Sequence, residues 1–356
     1  MTGIDRRSFV AAAGAAAGLS ASGAALGSAA GGAPRIKVGQ IGVGHAHASK
    51  LSVYLDSPDY EVVGVSEPDP ALRAVAAADP LYRDLPWMTP EQLLNVPGLQ
   101  AVLVETRVAD LLDVAETCIA AGKHIHLDKP AGTDLAQFER IVADAARQNL
   151  LIQMGYMYRY NPGVVMLREF LRQGWLGDVF EVHAVMSKVV DAESRVDFAK
   201  FAGGILYELG GHLVDLTVGI LGAPQEALGF LQHASAIDDG LEDNGLAVLK
   251  YPRALASVKS SAQEVEGFGR RHLAVCGSEG TFHIQPLDDP AVRLALAEPR
   301  GGYRAGYQDV ALPKYVRYVG DAADMARIVR GEKATDFPYE HDLAVQRTLL
   351  KICGAS

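Results

Sequence analysis

Two carboxylates and an imidazole stand at a spacing that chemistry can use. In the stretch Gly203 to Asp215, Glu208, His212 and Asp215 occupy positions i, i+4 and i+7. At about 100° per residue, a helix gathers them into one arc of roughly a quarter turn. Ile205, Leu206, Leu209, Leu213, Leu216 and Ile220 cover most of the rest, so the helix is apolar with one narrow polar stripe. An imidazole that titrates near neutral pH can take a proton from a hydroxyl. A carboxylate one turn earlier can orient that ring or bind a neighbouring hydroxyl, and Asp215 is placed to support rather than to react. Gly210 and Gly211 precede the histidine. A glycine inside a helix costs about 1 kcal/mol relative to alanine, so a close approach to the backbone is expected here. The same stripe fits a core helix with a satisfied His–Asp pair, and the rest of the chain has to decide between the two.

The elements that must position such a stripe begin at Ile36-Lys37-Val38-Gly39-Gln40-Ile41, a buried-strand pattern. It runs into Gly42-Val43-Gly44-His45-Ala46-His47. A helix-compatible segment follows, then the strand Tyr60–Val65, ending at Ser66-Glu67, with the acid 25 positions after Gly42. Strand, glycine turn, helix, strand and acid in this order make a dinucleotide-binding pattern. Gly42 permits the tight turn, Gly44 lets the backbone approach a pyrophosphate, and a helix N-terminus offers N–H donors. Val43, His45, Ala46 and His47 complete the turn. Glu67 is expected to accept hydrogen bonds from the adenosine ribose and to repel a 2′-phosphate, which favours NAD over NADP. His47 stands where a third glycine is usual. His45 and His47 are two apart with no third ligand nearby in the chain, so no metal site is expected.

Alternation continues through the strand Leu99–Val104, a helix from Asp110 to Ala121, the strand His124–Leu127, a helix from Thr133 to Asn149 and the strand Leu150–Met154. Ligands of open parallel sheets meet the carboxyl ends of strands. Glu67, Thr106, Arg107, Asp128 and Lys129 all fall there, and Thr106, Arg107, Asp128 and Lys129 join the turn as expected cofactor contacts. With a hydride acceptor so placed, the glycines before His212 read as room for substrate and nicotinamide.

Three motifs now resemble the glucose–fructose oxidoreductase, inositol 2-dehydrogenase and rhizopine-catabolism (Gfo/Idh/MocA) family over about residues 35–353. They are Ala121-Gly122-Lys123-His124-Ile125-His126-Leu127-Asp128-Lys129-Pro130, then Gly155-Tyr156-Met157-Tyr158-Arg159-Tyr160-Asn161-Pro162, then Gly203 through Asp215. The resemblance implies a Rossmann domain followed by an α+β domain with a large open, mostly antiparallel sheet. It also implies Lys129, Glu208 and His212 as the catalytic triplet, and Arg159 among the cofactor contacts. Asp128 replaces the family's usual Glu, and Glu208 its usual Asp. Thr106-Arg107 replaces the usual Thr-Pro, with no histidine shortly downstream. These departures put nicotinamide contacts and substrate choice in question.

The chain has 356 residues, too many for one ordinary domain. Arg6-Arg7-Ser8-Phe9 before an Ala/Gly stretch resembles a twin-arginine export signal; the organisation expected is a signal over 1–33, a dinucleotide domain over 34–153 and a substrate and oligomerisation domain over 154–356. The Ala/Gly middle is a poor membrane span, so no stable anchor is expected. A net charge of −10 with no basic run after that arginine pair disfavours nucleic acid. Cys118, Cys276 and Cys353 lack metal or redox spacing and read as free thiols. Short strands from Val179–Met186 to Val292–Leu296 suggest a sheet with one face on the helix and the other pairing subunits, as a dimer or tetramer. Lys188–Phe201 reads as a loop, while Tyr315–Arg330 and Glu340–Cys353 read as helices. The expected function is hydride transfer between a sugar or cyclitol hydroxyl carbon and a retained nicotinamide cofactor. Two others stay open: redox-neutral cleavage of a glycoside through a keto-sugar, and a non-catalytic NAD-binding sensor.

Overall fold

Five all-parallel strands carry the first half of the molecule: β1 (Ile36–Ile41), β2 (Tyr60–Ser66), β3 (Leu99–Val104), β4 (His124–Leu127) and β5 (Ile152–Met154). Their spatial order is β2-β1-β3-β4-β5. These strands are buried along most of their length, as expected when helices cover both faces of a parallel sheet. The order reverses between β1 and β3, and at such a switch point the strand ends open a crevice. The structure is a computed structural model that describes residues 34–355. The expected export signal lies outside the described residues.

Eight strands form the second sheet: β6 (Val179–Val185), β7 (Glu226–Gln232), β8 (Asn244–Lys250), β9 (Leu255–Ser261), β10 (His272–Gly277), β11 (Gly280–Ile284), β12 (Val292–Leu296) and β13 (Gly306–Val310). The order is β13-β12-β11-β10-β6-β9-β8-β7, antiparallel except for the parallel β6–β9 pair. The architecture is therefore α/β: a Rossmann-like parallel sheet followed by a domain built on a mostly antiparallel, mixed sheet.

The reactive stripe lies on a helix spanning Gly204–Leu221. It packs on β6, β8 and β9 and on a second helix, Tyr339–Ile352. It is apolar and long enough to cross a membrane, yet most of it is buried inside the protein. Leu213 and Val214 are fully enclosed, and truncating such a leucine to alanine costs about 2–5 kcal/mol. The helix starts where it does because Gly203 turns with φ = 85°, and a side chain there would collide with Cys353 Sγ at 2.3 Å. Gly211 has a different role from the one expected. A Cβ there would lie 3.3 Å from Leu349 and 3.8 Å from Tyr156. The gap admits the neighbouring helix, not a substrate.

Three local differences from the sequence pattern have physical causes. Lys188–Phe201 holds a short helix, Ala192–Phe198, because the Asp191 carboxylate accepts from Ser194 N at its start and caps it. β13 carries Tyr307, Gln308 and Asp309 at the sheet edge and so lacks an apolar alternation. The helix Val319–Val329, placed by sequence in the second domain, packs Ala322 and Met325 into the core around Ile36, Tyr54 and Tyr60 of the first. All three cysteines are free.

Candidate active site

The carboxyl ends of the parallel strands, the helix Gly204–Leu221 and the ends of β6 and β10 enclose a cleft of about 430 Å³. The glycine turn forms one wall. Gly42 has φ = 94°, and a Cβ on it would meet Thr106 N at 2.4 Å, so only glycine lets β1 and β3 end this close together. Gly42 N donates to Ser66 O, Val43 N to Glu67 Oε2 at 2.8 Å and His45 N to Glu105 O at 3.0 Å. Gly44 and Ala46 line the cleft, and their N–H groups have no acceptor among the described residues. Two free amides in a glycine turn suit a pyrophosphate.

The turn does not lead straight into a helix. A 3₁₀ turn, Ala48–Lys50, comes first, and the helix proper is only Leu51–Asp56. The cause is in the two histidines. His45 Nδ1 lies 3.2 Å from Asp128 Oδ2, and His47 Nδ1 lies 3.1 Å from Asp128 Oδ1. Those contacts, with the His45 N–Glu105 O bond, hold the segment to β3 and β4 and divert it from a helical ladder. Tertiary structure thus supplies the third potential ligand that the chain lacks locally: His45, His47 and Asp128 could together hold a metal ion. The ammonium of Lys50 sits 2.6 Å from Asp128 Oδ2 and 3.0 Å from Glu105 Oε1, and a cation already in place opposes a second one.

This buried group has a defined charge state. Burial works against the Lys50 charge, but Asp128 and Glu105 outweigh it and raise its pKa. Burial also works against an ionised Asp128, yet His45 and Lys50 hold it well below the usual carboxylate range. Burial and the neighbouring Asp128 push Glu105 well above that range. Burial lowers His47 to about 4 and His126 to about 3. His126 bridges Lys50 and Gln153.

Lys129, Glu208 and His212 meet on the cleft. Lys129 Nζ donates to Glu208 Oε1 at 2.7 Å and to Glu208 O at 3.1 Å. Glu208 is ionised, because Lys129 outweighs the effect of burial. The carboxylate is therefore engaged with the lysine and does not orient the imidazole. Nor does Asp215. His212 Nδ1 is buried without a hydrogen-bond partner, and the ring stands edge-on to Tyr156 and Tyr158. Burial, then Lys129 and His47, lower its pKa well below 6.5. The imidazole is neutral, and Nε2 is the nitrogen left to face the cleft.

Arg159, which the resemblance implies as a cofactor contact, does not line the cleft. Its guanidinium is 3% exposed and grips Asp215 at 2.6 Å and Asp342 at 2.5 Å. Phe337 lies over it at 4.1 Å. His341 Nε2, in the first turn of the helix Tyr339–Ile352, meets Asp215 at 2.9 Å. Glu67 has each oxygen on a backbone amide, Val43 N and Asp69 N. Thr106 is buried behind the turn, and Arg107 lines the cleft with its guanidinium on Asp69 at 2.6 Å. Lys188, Arg271 and Arg317 also line the cleft and carry no motif in the sequence. Only their late-loop positions, each beside a strand or helix end, could have drawn notice.

A glycine turn at the switch point of a parallel sheet, opening on a lysine, a carboxylate and a neutral histidine, defines a nucleotide-dependent oxidoreductase. Residues 36–156 match the model of an oxidoreductase family with an NAD-binding Rossmann fold, and residues 164–283 match the GFO/IDH/MocA C-terminal domain. The chain belongs to the Gfo/Idh/MocA family of oxidoreductases. It is 24% identical to myo-inositol 2-dehydrogenase of Thermotoga maritima, over 79% of this chain and 84% of the relative. It is 28% identical to trans-1,2-dihydrobenzene-1,2-diol dehydrogenase of Mus musculus, over 68% and 72%. Among solved structures, UDP-N-acetylglucosamine 3-dehydrogenase from Acidithiobacillus ferrooxidans shares the fold with a TM-score of 0.74 at 19% identity, covering 91% of this chain and 98% of that one.

Proposed function

We propose that the protein transfers a hydride between a hydroxyl-bearing carbon of a sugar or cyclitol and NAD. The observation that carries this reading is the pairing of a neutral, buried His212 with a Lys129–Glu208 ion pair on the same cleft as the two free amides of the glycine turn. The names of the inositol and dihydrodiol dehydrogenases give the substrate class support. The residues fit the nucleotide: Gly44 and Ala46 N–H would hold its pyrophosphate, and the nicotinamide would supply the hydride acceptor beside Lys129. Glu67 at the end of β2 supports NAD over NADP, since a carboxylate repels a 2′-phosphate.

His212 Nε2 takes the hydroxyl proton as the C–H bond breaks. Lys129 Nζ donates to the same oxygen and stabilises the negative charge that develops there. Glu208 aims that ammonium and keeps the local charge balanced. His212→Asn and Lys129→Met are each expected to lower turnover by about 10²- to 10⁴-fold, while calorimetry shows NAD still bound. Near-normal turnover in either variant would remove the assignment. Product analysis separates net oxidation from redox-neutral cleavage.

Two further readings accompany it. The outer face of the eight-stranded sheet exposes Leu228, Phe230, Leu246 and Leu255, which supports a dimer or tetramer; mass photometry showing monomer alone would count against it. Arg6-Arg7 supports export through the twin-arginine route, with cell fractionation as the check.

A further inference from the structure

The cleft is charged against the grain of the molecule. The chain has a net charge of −10, yet six Lys or Arg residues and only two carboxylates line the cleft. Part of that excess has an obvious use. Arg107 stands at the glycine turn, on the nucleotide side, and is paired with Asp69. Lys129 is paired with Glu208, and Lys200 with Asp197. Three cations remain, none of them on the glycine turn. Lys188 follows β6, Arg271 precedes β10, and Arg317 precedes the helix Val319–Val329.

Two of these, Arg271 and Arg317, share a single carboxylate. Asp288 takes Arg271 Nη1 at 3.0 and 3.3 Å, Arg317 Nη2, and the Tyr158 hydroxyl at 2.7 Å. Arg271 is 5% exposed and held in place by Ser187 O on Nε and by the Phe268 ring at 3.8 Å. Its Nη2 has no acceptor among the described residues, and the residue lines the cleft. Lys188 Nζ likewise has neither an acceptor nor a carboxylate within ion-pair distance there; its recorded contact is the Phe198 ring at 6.0 Å. A guanidinium this enclosed, with unused donors beside an unpaired ammonium, is costly unless an anion completes it. Burial and the nearby Arg271 both disfavour the Lys188 charge, while Glu208 favours it, so the ammonium lies within electrostatic reach of both the catalytic helix and Arg271.

We infer that Lys188 and Arg271 form a subsite for an anionic group, carboxylate or phosphate, on the substrate, so that the enzyme acts on an acidic sugar or cyclitol rather than a neutral one. The inference rests on the hydride-transfer reading for where the reacting carbon lies. Arg271 Nη2 offers the planar donors that suit a carboxylate or phosphate oxygen, Lys188 adds a point charge, and Tyr158 and Arg317 hold Asp288 so that it positions Arg271 without neutralising the wall.

The test uses the full chain with NAD bound and three probes: D-glucose, D-glucuronate and D-glucose 6-phosphate. Calorimetry on the His212→Asn variant reads the subsite without turnover. At least one anionic probe is expected to bind roughly tenfold or more tightly than glucose, the size of one charge-assisted hydrogen bond. Which of the two binds better tells carboxylate from phosphate. Adding Lys188→Met is expected to cut that preference roughly tenfold; Arg271→Lys, which keeps the charge and loses the planar donors, is expected to cut it as well. Equal binding of all three probes overturns the inference, as does failure of both anions to bind, or a preference that survives both substitutions. An anion preference without NAD reduction by the unsubstituted protein on any probe would support the subsite and count against the hydride-transfer reading instead.

Discussion

Two buried charge clusters in this molecule are made of the same parts. In one, Asp128 meets Lys50, His45 and His47. In the other, Asp215 meets Arg159 and His341. Each sets an aspartate against an enclosed cation and imidazole, and each adds a second acid, Glu105 or Asp342. They differ in where they sit. The Asp128 cluster lies under the carboxyl ends of β1, β3 and β4, and His45, His47 and Lys129 carry it to the cleft wall. The Asp215 cluster lies between two helices, capped by Phe337. The two clusters match in residue type and burial, and what separates them is access to the large cleft, which the Asp128 cluster reaches through its neighbours.

Substituting the central cations gives the sharpest way to break this comparison. Lys50→Met leaves Asp128 buried without its main partner and is expected to cost about 3–5 kcal/mol of stability. It should also weaken NAD roughly tenfold, because Asp128 no longer fixes the two histidines of the glycine turn. Chemical denaturation and calorimetry read the two effects. Unchanged NAD affinity in the folded variant would show that the cluster only stabilises. Arg159→Met is expected to cost a similar 3–5 kcal/mol, but with kcat and NAD affinity of the folded enzyme unchanged. A selective loss of NAD binding would restore Arg159 to the cofactor site and erase the contrast.

A pH titration separates the clusters more finely. His47 is neutral in the folded protein, with its pKa lowered to about 4 by burial, whereas in the unfolded chain it takes a proton near 6.5. The unfolded state therefore binds more protons between these values. The His47 contribution is present above pH 6.5 and is lost as pH falls towards 4, at no more than about 1.4 kcal/mol per pH unit. His47→Asn should flatten this part of the stability profile. The carboxylate of Asp215 is held low chiefly by Arg159 against the effect of burial. Its contribution is full above the ordinary carboxylate range and fades as pH drops from that range to its lowered folded pKa. An unchanged profile in His47→Asn would contradict the buried neutral state. The smallest effect is expected from Gly211→Ala. The gain of about 1 kcal/mol in helix propensity is opposed by the 3.3 Å contact with Leu349, so the denaturation midpoint should shift little and turnover not at all. A loss of turnover would return that glycine to the substrate.

Much of this was legible before any coordinates. All five strands of the first sheet and seven of the eight in the second stand near their expected positions, because buried strands write themselves as apolar runs. Glu208 and His212 share a face, as helical spacing requires. What stayed hidden depends on distance along the chain. Arg159 sits in a motif that suggested the cofactor, while its partners lie 56 and 183 residues away. Lys50 looks like a surface lysine, since nothing local reveals Asp128 and Glu105 around it. Lys188, Arg271 and Arg317 converge from three separate loops and carry no periodicity. The third ligand near His45 and His47 was missed for the same reason: Asp128 is adjacent only after β4 pairs with β3.

The helix Tyr339–Ile352 reaches nearly every part described above. Leu349 fills the space over Gly211, Asp342 completes the Arg159 cluster, Gln346 donates to Gly132 O beside the Lys129 segment, and Cys353, just past its end, packs on Gly203. During synthesis these residues leave the ribosome after everything they brace. The nascent chain completes the core of its nucleotide cradle once the helix Val319–Val329 has emerged, but the wall that carries His212 stays loose until this last helix follows. A nascent chain stalled before Tyr339 would therefore carry a cradle without a working reaction chamber.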